Sequence, residues 1–114
     1  MSAALSGKGR EVALAALALY FDRLSAHVGN PGPDGQRSEI AGGRYHRVSV
    51  SWAVLDGRLQ AVPPLPIFDI PAGVEVRVVG LWSQDGIFAG SWSVDDRLFV
   101  EAGTLELQSI EVSL

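Results

Sequence analysis

Beyond Gly43 the apolar residues of this chain recur at every second position, and small clusters of Gly, Pro, Asn and Asp cut the alternation into short segments. Successive side chains of a strand point to opposite faces, so this pattern constrains the chain to half-buried β-strands. Val48, Val50, Trp52 and Val54 alternate with Arg47, Ser49, Ser51 and Ala53. Asp56-Gly57 then marks a tight hairpin, because the favoured two-residue turn needs positive φ at both positions. Pro63, Pro64 and Pro66 stop any central strand, since proline donates nothing to the ladder. Ile67, Phe68 and Ile70 form a short apolar segment that ends at Pro71-Ala72-Gly73.

The next segment places Val74, Val76, Val78 and Trp82 on one face. Its second half is apolar on both faces, which predicts a central strand. After a turn at Asp85-Gly86, Phe88, Trp92 and Val94 share a face, and Asp95-Asp96 is expected to turn the chain again. Leu98 to Val100 reads as a short strand. The last strand is expected from Thr104 to Leu114, with a β-bulge near Gln108-Ser109 that keeps Leu105, Leu107, Ile110, Val112 and Leu114 on the core side.

The first part of the chain has a different period. Leu14, Leu17, Phe21 and Leu24 recur at spacings of three and four, which predicts a helix over about residues 8–24, and Val12 and Leu19 are read as widening its apolar face. Leu24 to Val28 could equally begin the first strand. Residues 1–7 are small and polar and read as a flexible N-terminus. Asn30-Pro31-Gly32-Pro33-Asp34-Gly35 is a concentrated turn signal and Gly42-Gly43 a second break. Between them, Gln36 to Ala41 reads as a polar loop or short strand.

With 114 residues and no linker or repeat, the chain reads as a single β domain over residues 8–114 with an N-terminal helix. The expected fold is mainly β: an antiparallel β-sandwich or flattened barrel of six to eight strands. The net charge is −4 and the nine Lys and Arg residues are scattered, so no basic stripe is present to neutralise phosphates and nucleic-acid binding is not expected. Without cysteine there are no disulfides, thiolate metal sites or cysteine nucleophiles. Lys8 and Arg10 precede an apolar run from Val12 to Phe21, but Asp22-Arg23 follow without a small-residue cleavage site, so no signal peptide is expected. The run is also short of the roughly 20 residues that span a bilayer, so no membrane partner is expected.

Chemistry finds little support in the residue pattern. His27 and His46 lack partners at metal-ligand spacing and are expected to be hydrogen-bonded in or near the core. No nucleophile elbow of Gly-x-Ser-x-Gly type is present. Asp95-Asp96 reads as a solvated turn rather than a cation site. Trp52, Trp82 and Trp92 each fall in the apolar phase of a strand, which favours core packing over sugar stacking. No catalytic, metal or cofactor residues are assigned, and the chain is not read as an enzyme.

The order of motifs nevertheless resembles a family of small tail-associated structural proteins of long-tailed, siphovirus-type phages. Leu24-Ser25-Ala26-His27-Val28-Gly29-Asn30-Pro31-Gly32 is similar to the strand and turn that open its β domain. Glu39, Gly42-Gly43 and Tyr45-His46-Arg47 follow in the same order. Phe68-Asp69-Ile70-Pro71-Ala72-Gly73 and Val79-Gly80-Leu81-Trp82 resemble two further stretches, so the likeness runs from about Ala13 to Leu114. The chain departs from the pattern at Val28 and in a shorter turn over residues 83–86. The resemblance implies a non-enzymatic virion component, a minor tail or capsid-decorating subunit assembled in the host cytoplasm. Its expected partners are other virion proteins, the major capsid or tail proteins, and further copies of itself, with a trimer as one arrangement. The surfaces expected to matter are the helix stripe Leu14, Leu17, Phe21 and Leu24 and the polar loop residues Arg37, Glu39, Arg44 and Arg47. The alternative reading is a carbohydrate- or receptor-binding β-sandwich module, which needs exposed tryptophans.

Overall fold

The computed structural model describes residues 6–113. One helix, α1 (Gly7–Tyr20), precedes nine strands: β1 (Arg23–His27), β2 (Val48–Ser49), β3 (Ser51–Leu55), β4 (Arg58–Val62), β5 (Ile67–Ile70), β6 (Val74–Trp82), β7 (Phe88–Phe99), β8 (Gly103–Glu106) and β9 (Glu111–Ser113). All pairings are antiparallel. They form a four-stranded sheet ordered β2-β1-β6-β7, a three-stranded sheet β3-β4-β9 and a two-stranded ribbon β5-β8. The mainly β, sandwich-like fold expected from the alternation is therefore present, with its sheets left open rather than closed into a barrel. Of the proposed flexible N-terminus, residues 1–5 lie outside the described residues. Ser6 caps the helix by accepting from the Gly9 amide at 3.0 Å, and Gly7 already belongs to α1.

The helix ends four residues earlier than its periodicity predicts. The Phe21 amide closes the last turn on the Leu17 carbonyl, and Phe21 then leaves helical φ/ψ. Leu24 sits in β1, whose five residues all pair with β6 from Arg23↔Trp82 to His27↔Val78. Ladder pairing along a whole strand outweighs one more apolar residue at helical spacing. Val12 and Leu19 lie on the outer side of α1, 60% and 83% exposed, and do not widen its buried face.

The core lies between the sheets. Leu24 and Ala26 from β1, Val76, Val79 and Leu81 from β6, and Phe99 from β7 meet Phe68 and Ile70 from β5, with Leu107 and Ile110. The alternating run from Val48 to Val54 serves both large sheets. β2 pairs with β1 and β3 with β4, and buried Val50 marks the crossing. The β3–β4 hairpin turns through Asp56 and Gly57 at φ 52° and 74°, the all-positive geometry its Asp-Gly sequence favours.

Four expectations need correction. Val74, Val76, Val78 and Trp82 do not share one face: beyond the bulge after Val76 the phase changes, so Val79 and Leu81 join Val76 in the core while Trp82 bonds Ser25 on the other side. Asp95-Asp96 does not end a strand. β7 continues to Phe99, and residues 94–96 form a bulge opposite Arg77, because Val76 and Val74 go on pairing with Arg97 and Phe99. The final segment is not one bulged strand. β8 and β9 belong to different sheets, with exposed Gln108-Ser109 at the corner between buried Leu107 and Ile110. The register slip seen in the sequence is thus a change of sheet; Leu114 lies outside the described residues. Finally, His46 is exposed. The strand it was assigned to begins only at Val48, so its parity with Val48 and Val50 has no structural meaning.

Candidate functional site

β1 is buried on both faces. Leu24 and Ala26 face the core, while Ser25 and His27 face a layer formed by the 30–47 loop and the turn after β6. Polar groups on a fully buried face must be paired, and here the pairing has a fixed direction. The Arg37 carbonyl lies 2.8 Å from His27 Nδ1 and can only accept, so Nδ1 carries the proton. Nε2 is then the acceptor for the Ser25 hydroxyl at 2.6 Å. Ser25 Oγ in turn accepts from the Trp82 indole N–H at 2.8 Å. Ser25 and His27 are both 0% exposed. Gly80, paired with Ser25 across the ladder, leaves the room: a Cβ there would lie 2.5 Å from Ser25 Oγ and 3.3 Å from His27 Nε2.

A second chain of bonds runs beside the first. The 38–40 segment continues the edge that β2 begins, with the Val28 amide donating to Ser38 and the Ile40 amide to Ala26. The gap between this segment and β2 leaves the Ala26 amide without a strand partner, and the Tyr45 hydroxyl accepts from it at 3.0 Å. Tyr45 passes its own proton to Glu39 Oε2 at 2.7 Å. Arg47 closes on the same carboxylate through Nε at 3.1 Å and Nη2 at 2.9 Å, a forked contact that suits guanidinium geometry. The Arg47 guanidinium also stacks on Trp82, which joins the two chains of bonds.

The electrostatics follow from this packing. Burial holds His27 below the ordinary imidazole value, outweighing the Arg37 carbonyl and the Glu39 charge that pull the other way. Burial pushes the Glu39 carboxyl up, but Arg47, Tyr45 and His27 together prevail and hold it below the usual carboxylate range. Burial, and then the bond to Glu39, push the Tyr45 phenol well above its ordinary value. At neutral pH the site therefore contains a neutral imidazole, a neutral phenol and one ion pair.

A serine hydroxyl bonded to an imidazole is half of a nucleophile–base arrangement. Here neither group meets solvent, and Nδ1 is held by a backbone carbonyl in place of a carboxylate. The arrangement fixes the 30–47 loop onto β1. Among the described residues no cluster of His, Cys, Asp or Glu is placed to hold a metal, and no helix is long and apolar enough to cross a membrane.

No family model, curated protein or solved structure matches this chain. The surface itself is then the guide. β7 is the outer strand of one sheet and β9 of another, and among the described residues each pairs on one side only. Between them and the end of α1 opens an apolar cleft of about 480 Å³, lined by Leu17, Phe21, Leu59, Leu81, Trp92 and Val112 among others. A second groove of about 450 Å³ continues from Trp92 along β7 to Arg97 and across to residues 105–110.

The residues singled out in the sequence fall into separate places. Leu14 is fully buried under α1 and Leu24 is in the core. Leu17 and Phe21 are half-buried and line the cleft. Glu39 and Arg47 meet in the ion pair. Arg37 contributes its carbonyl to His27, and Arg44 is exposed beside Gly43 and Pro71, apart from the ion pair. Sequence reasoning missed Ser25, Tyr45 and Trp82 as network partners. The one local signal was parity: Ser25 and His27 are two apart in a strand, with Gly80 on its neighbour.

Proposed function

We propose that the chain is a non-enzymatic structural subunit of a tailed-phage particle, a minor tail or capsid-decorating protein that packs against virion proteins and further copies of itself. The observation that carries this reading is the division of labour between interior and surface. The titratable groups of the buried network are used in holding a loop, while apolar side chains and strand edges are left outside. Val12, Leu19, Leu98 and Val100 are each more than half exposed, and among the described residues β7 and β9 each keep an unpaired edge. Exposed apolar surface and open edges on a small domain favour association. The motif order set out in the sequence analysis supplies the virion context.

The test is gold-labelled antibody on purified particles viewed by electron microscopy. Label over the head assigns a capsid-decorating role, and label along or at the end of the tail assigns a tail role. Intact particles without label overturn the proposal.

A second reading, a carbohydrate- or receptor-binding module, is favoured by one residue. Trp92 is half-buried, lines both grooves, and its indole N–H makes no hydrogen bond among the described residues. Trp52 and Trp82 are instead tied to Phe21 and Ser25. Quenching of tryptophan fluorescence by glycans, abolished in Trp92→Ala, would support that module; glycan-independent emission excludes it.

A further inference from the structure

Residues 30–37 form a loop that is bonded mainly to itself. The Gly32 amide donates to Asn30 Oδ1 at 2.8 Å and the Gln36 amide to Asp34 Oδ1 at 3.1 Å. The Gly35 amide donates to the Gly32 carbonyl at 3.2 Å and the Arg37 amide to the Pro31 carbonyl at 2.8 Å. All four bonds can move with the loop. Its attachment to the sheet is thin by comparison. His27 Nδ1 donates to the Arg37 carbonyl, and the Val28 amide donates to the Ser38 carbonyl at the loop's foot. Only Pro31 and Gly35 of the loop are buried, Gly35 directly against the Phe88 ring. A groove of about 260 Å³ lies between Asn30-Pro31 and Val78, Ser91, Trp92 and Ser93. A compact loop with so few buried contacts belongs to the part of a fold that opens first. The residues after it are fixed differently: Ile40 belongs to the core and Tyr45 stacks on Phe68. The joint between the two parts is Ser38, held at φ 59°, a left-handed conformation that strains a serine.

Beneath the loop, the surroundings of His27 suit one protonation state. Nδ1 donates to Arg37 and Nε2 accepts the Ser25 proton, while Trp82 donates to the same Ser25 oxygen. A proton added at Nε2 aims two N–H groups at Ser25 Oγ and leaves the Ser25 hydroxyl proton without its acceptor, on a face where neither residue meets solvent. The neighbours do not offset the new charge. From β6 and β7 they are Gly80, Trp82 and Phe88, all uncharged. From the segment after the loop, Glu39 favours the imidazolium, but its carboxylate is already held by Arg47, which opposes it, and by the neutral Tyr45. Asp34 and Arg37, on the loop itself, are exposed. The loop is the removable cover: lifting it brings water to the imidazole without separating the sheets.

We propose that residues 30–37 are an acid-released flap: protonation of His27 favours a state in which this loop lifts off β1 and Phe88 while the sheets stay folded. The direction follows from linkage. His27 is held below its reference 6.5 under the loop and regains about that value when solvated, so proton uptake favours the open form. Between about pH 7.5 and 5.5 the opening equilibrium rises by at most about tenfold, the limit for one such proton. The flap is a property of the single chain and does not depend on the virion reading.

Amide hydrogen exchange of the full chain, resolved by NMR and corrected for the intrinsic exchange rate, tests this. The Val28 amide is expected to be at least about tenfold less protected than the Ile40 amide, bonded to Ala26, and the amides of the central strand β6, because it exchanges by opening of the loop alone. From about pH 7.5 to 5.5 its protection is expected to fall further, by up to about tenfold. His27→Gln keeps a donor and an acceptor but takes up no proton, and should abolish this pH effect. His46→Gln, at an exposed histidine, should retain it. Val28 protection equal to that of β6 would overturn the local opening. A Val28 amide indifferent to pH, or a pH effect that survives His27→Gln or vanishes in His46→Gln, would overturn the role of His27. Where His27→Gln does not fold, the imidazole signal of the native chain decides: titration below 6.5 that tracks Val28 exchange is expected, and titration at or above 6.5 overturns the proposal.

Discussion

The Arg47 guanidinium carbon lies over the Trp82 indole, 3.6 Å from the ring centroid, while its fork holds Glu39. One side chain therefore ties the loop to the sheet twice, by charge and by stacking. Replacing Arg47 with Met strands a partly buried carboxylate and is expected to cost about 1–3 kcal/mol in urea unfolding. Arg47→Lys keeps the charge but loses the fork and the planar stack, so it should recover only part of that loss. Full recovery by lysine would show that the stack and the fork contribute nothing.

Stability is expected to fall in acid in two stages. His27 titrates lower in the folded chain than its reference 6.5. The unfolded chain therefore takes up the proton first, and stability drops as pH falls below about 6.5 towards the lower folded value. Protonation also gives Nε2 a hydrogen and displaces the one Ser25 donates, beside Arg47 on one side and Glu39 on the other. The Glu39 carboxyl is held below its reference 4.5, so its contribution is present above that value and is lost as pH falls through the folded one. Melting temperature followed from about pH 7.5 to 3 should be level above about 6.5, decline below it, and decline again below about 4.5, and His27→Gln should flatten the upper stage. A flat profile down to about pH 5 in the native chain would contradict the buried neutral imidazole.

Ser25 and Gly80 are expected to behave as one unit. Ser25→Ala leaves the Trp82 N–H and His27 Nε2 unpaired, at about 1–3 kcal/mol for each buried group. Gly80→Ala alone drives a methyl into Ser25 Oγ, with an overpacking cost of about 1–3 kcal/mol. The double variant removes the clash it would otherwise create, so its cost should be less than the sum of the two. Strict additivity in a denaturation cycle would place the two residues out of contact.

The two faces of α1 should separate cleanly. Leu14→Ala empties a fully buried site and is expected to cost about 2–5 kcal/mol. Leu19→Ala should change the stability of the isolated chain by less than about 0.5 kcal/mol, as for an exposed surface position. Comparable losses in thermal unfolding would mean that Leu19 is covered within the chain.

Local patterns were legible where the chain itself decides them. The Asp56-Gly57 hairpin, the alternation of β3 and the inward residues Leu14 and Leu17 need only period and turn chemistry; the face expected for β6 does not hold, because the phase changes at the bulge after Val76, so that Val76, Val79 and Leu81 enter the core while Trp82 bonds Ser25 on the other side. Elements decided by distant partners were not. Leu24 fits a helix by spacing and a strand by its partner β6, and β7 runs through Asp95-Asp96 because β6 continues beside it. The slip at Gln108-Ser109 was visible, but a bulge and a change of sheet leave the same trace in sequence. Glu39 and Arg47 stood out as polar loop residues. Their pairing through Tyr45, and the buried Ser25–His27–Trp82 chain, depend on contacts between residues up to 57 positions apart.

The central claim, that the chain is an integral subunit of a particle, is tested most directly by counting its copies in purified virions. Tailed particles induced from cells that carry its gene are washed in high salt, banded by density and quantified by mass spectrometry against the major capsid protein. The account expects the same ratio in every preparation, unchanged by the wash. A ratio that varies between preparations, or falls towards zero as salt strips the particles, would contradict it.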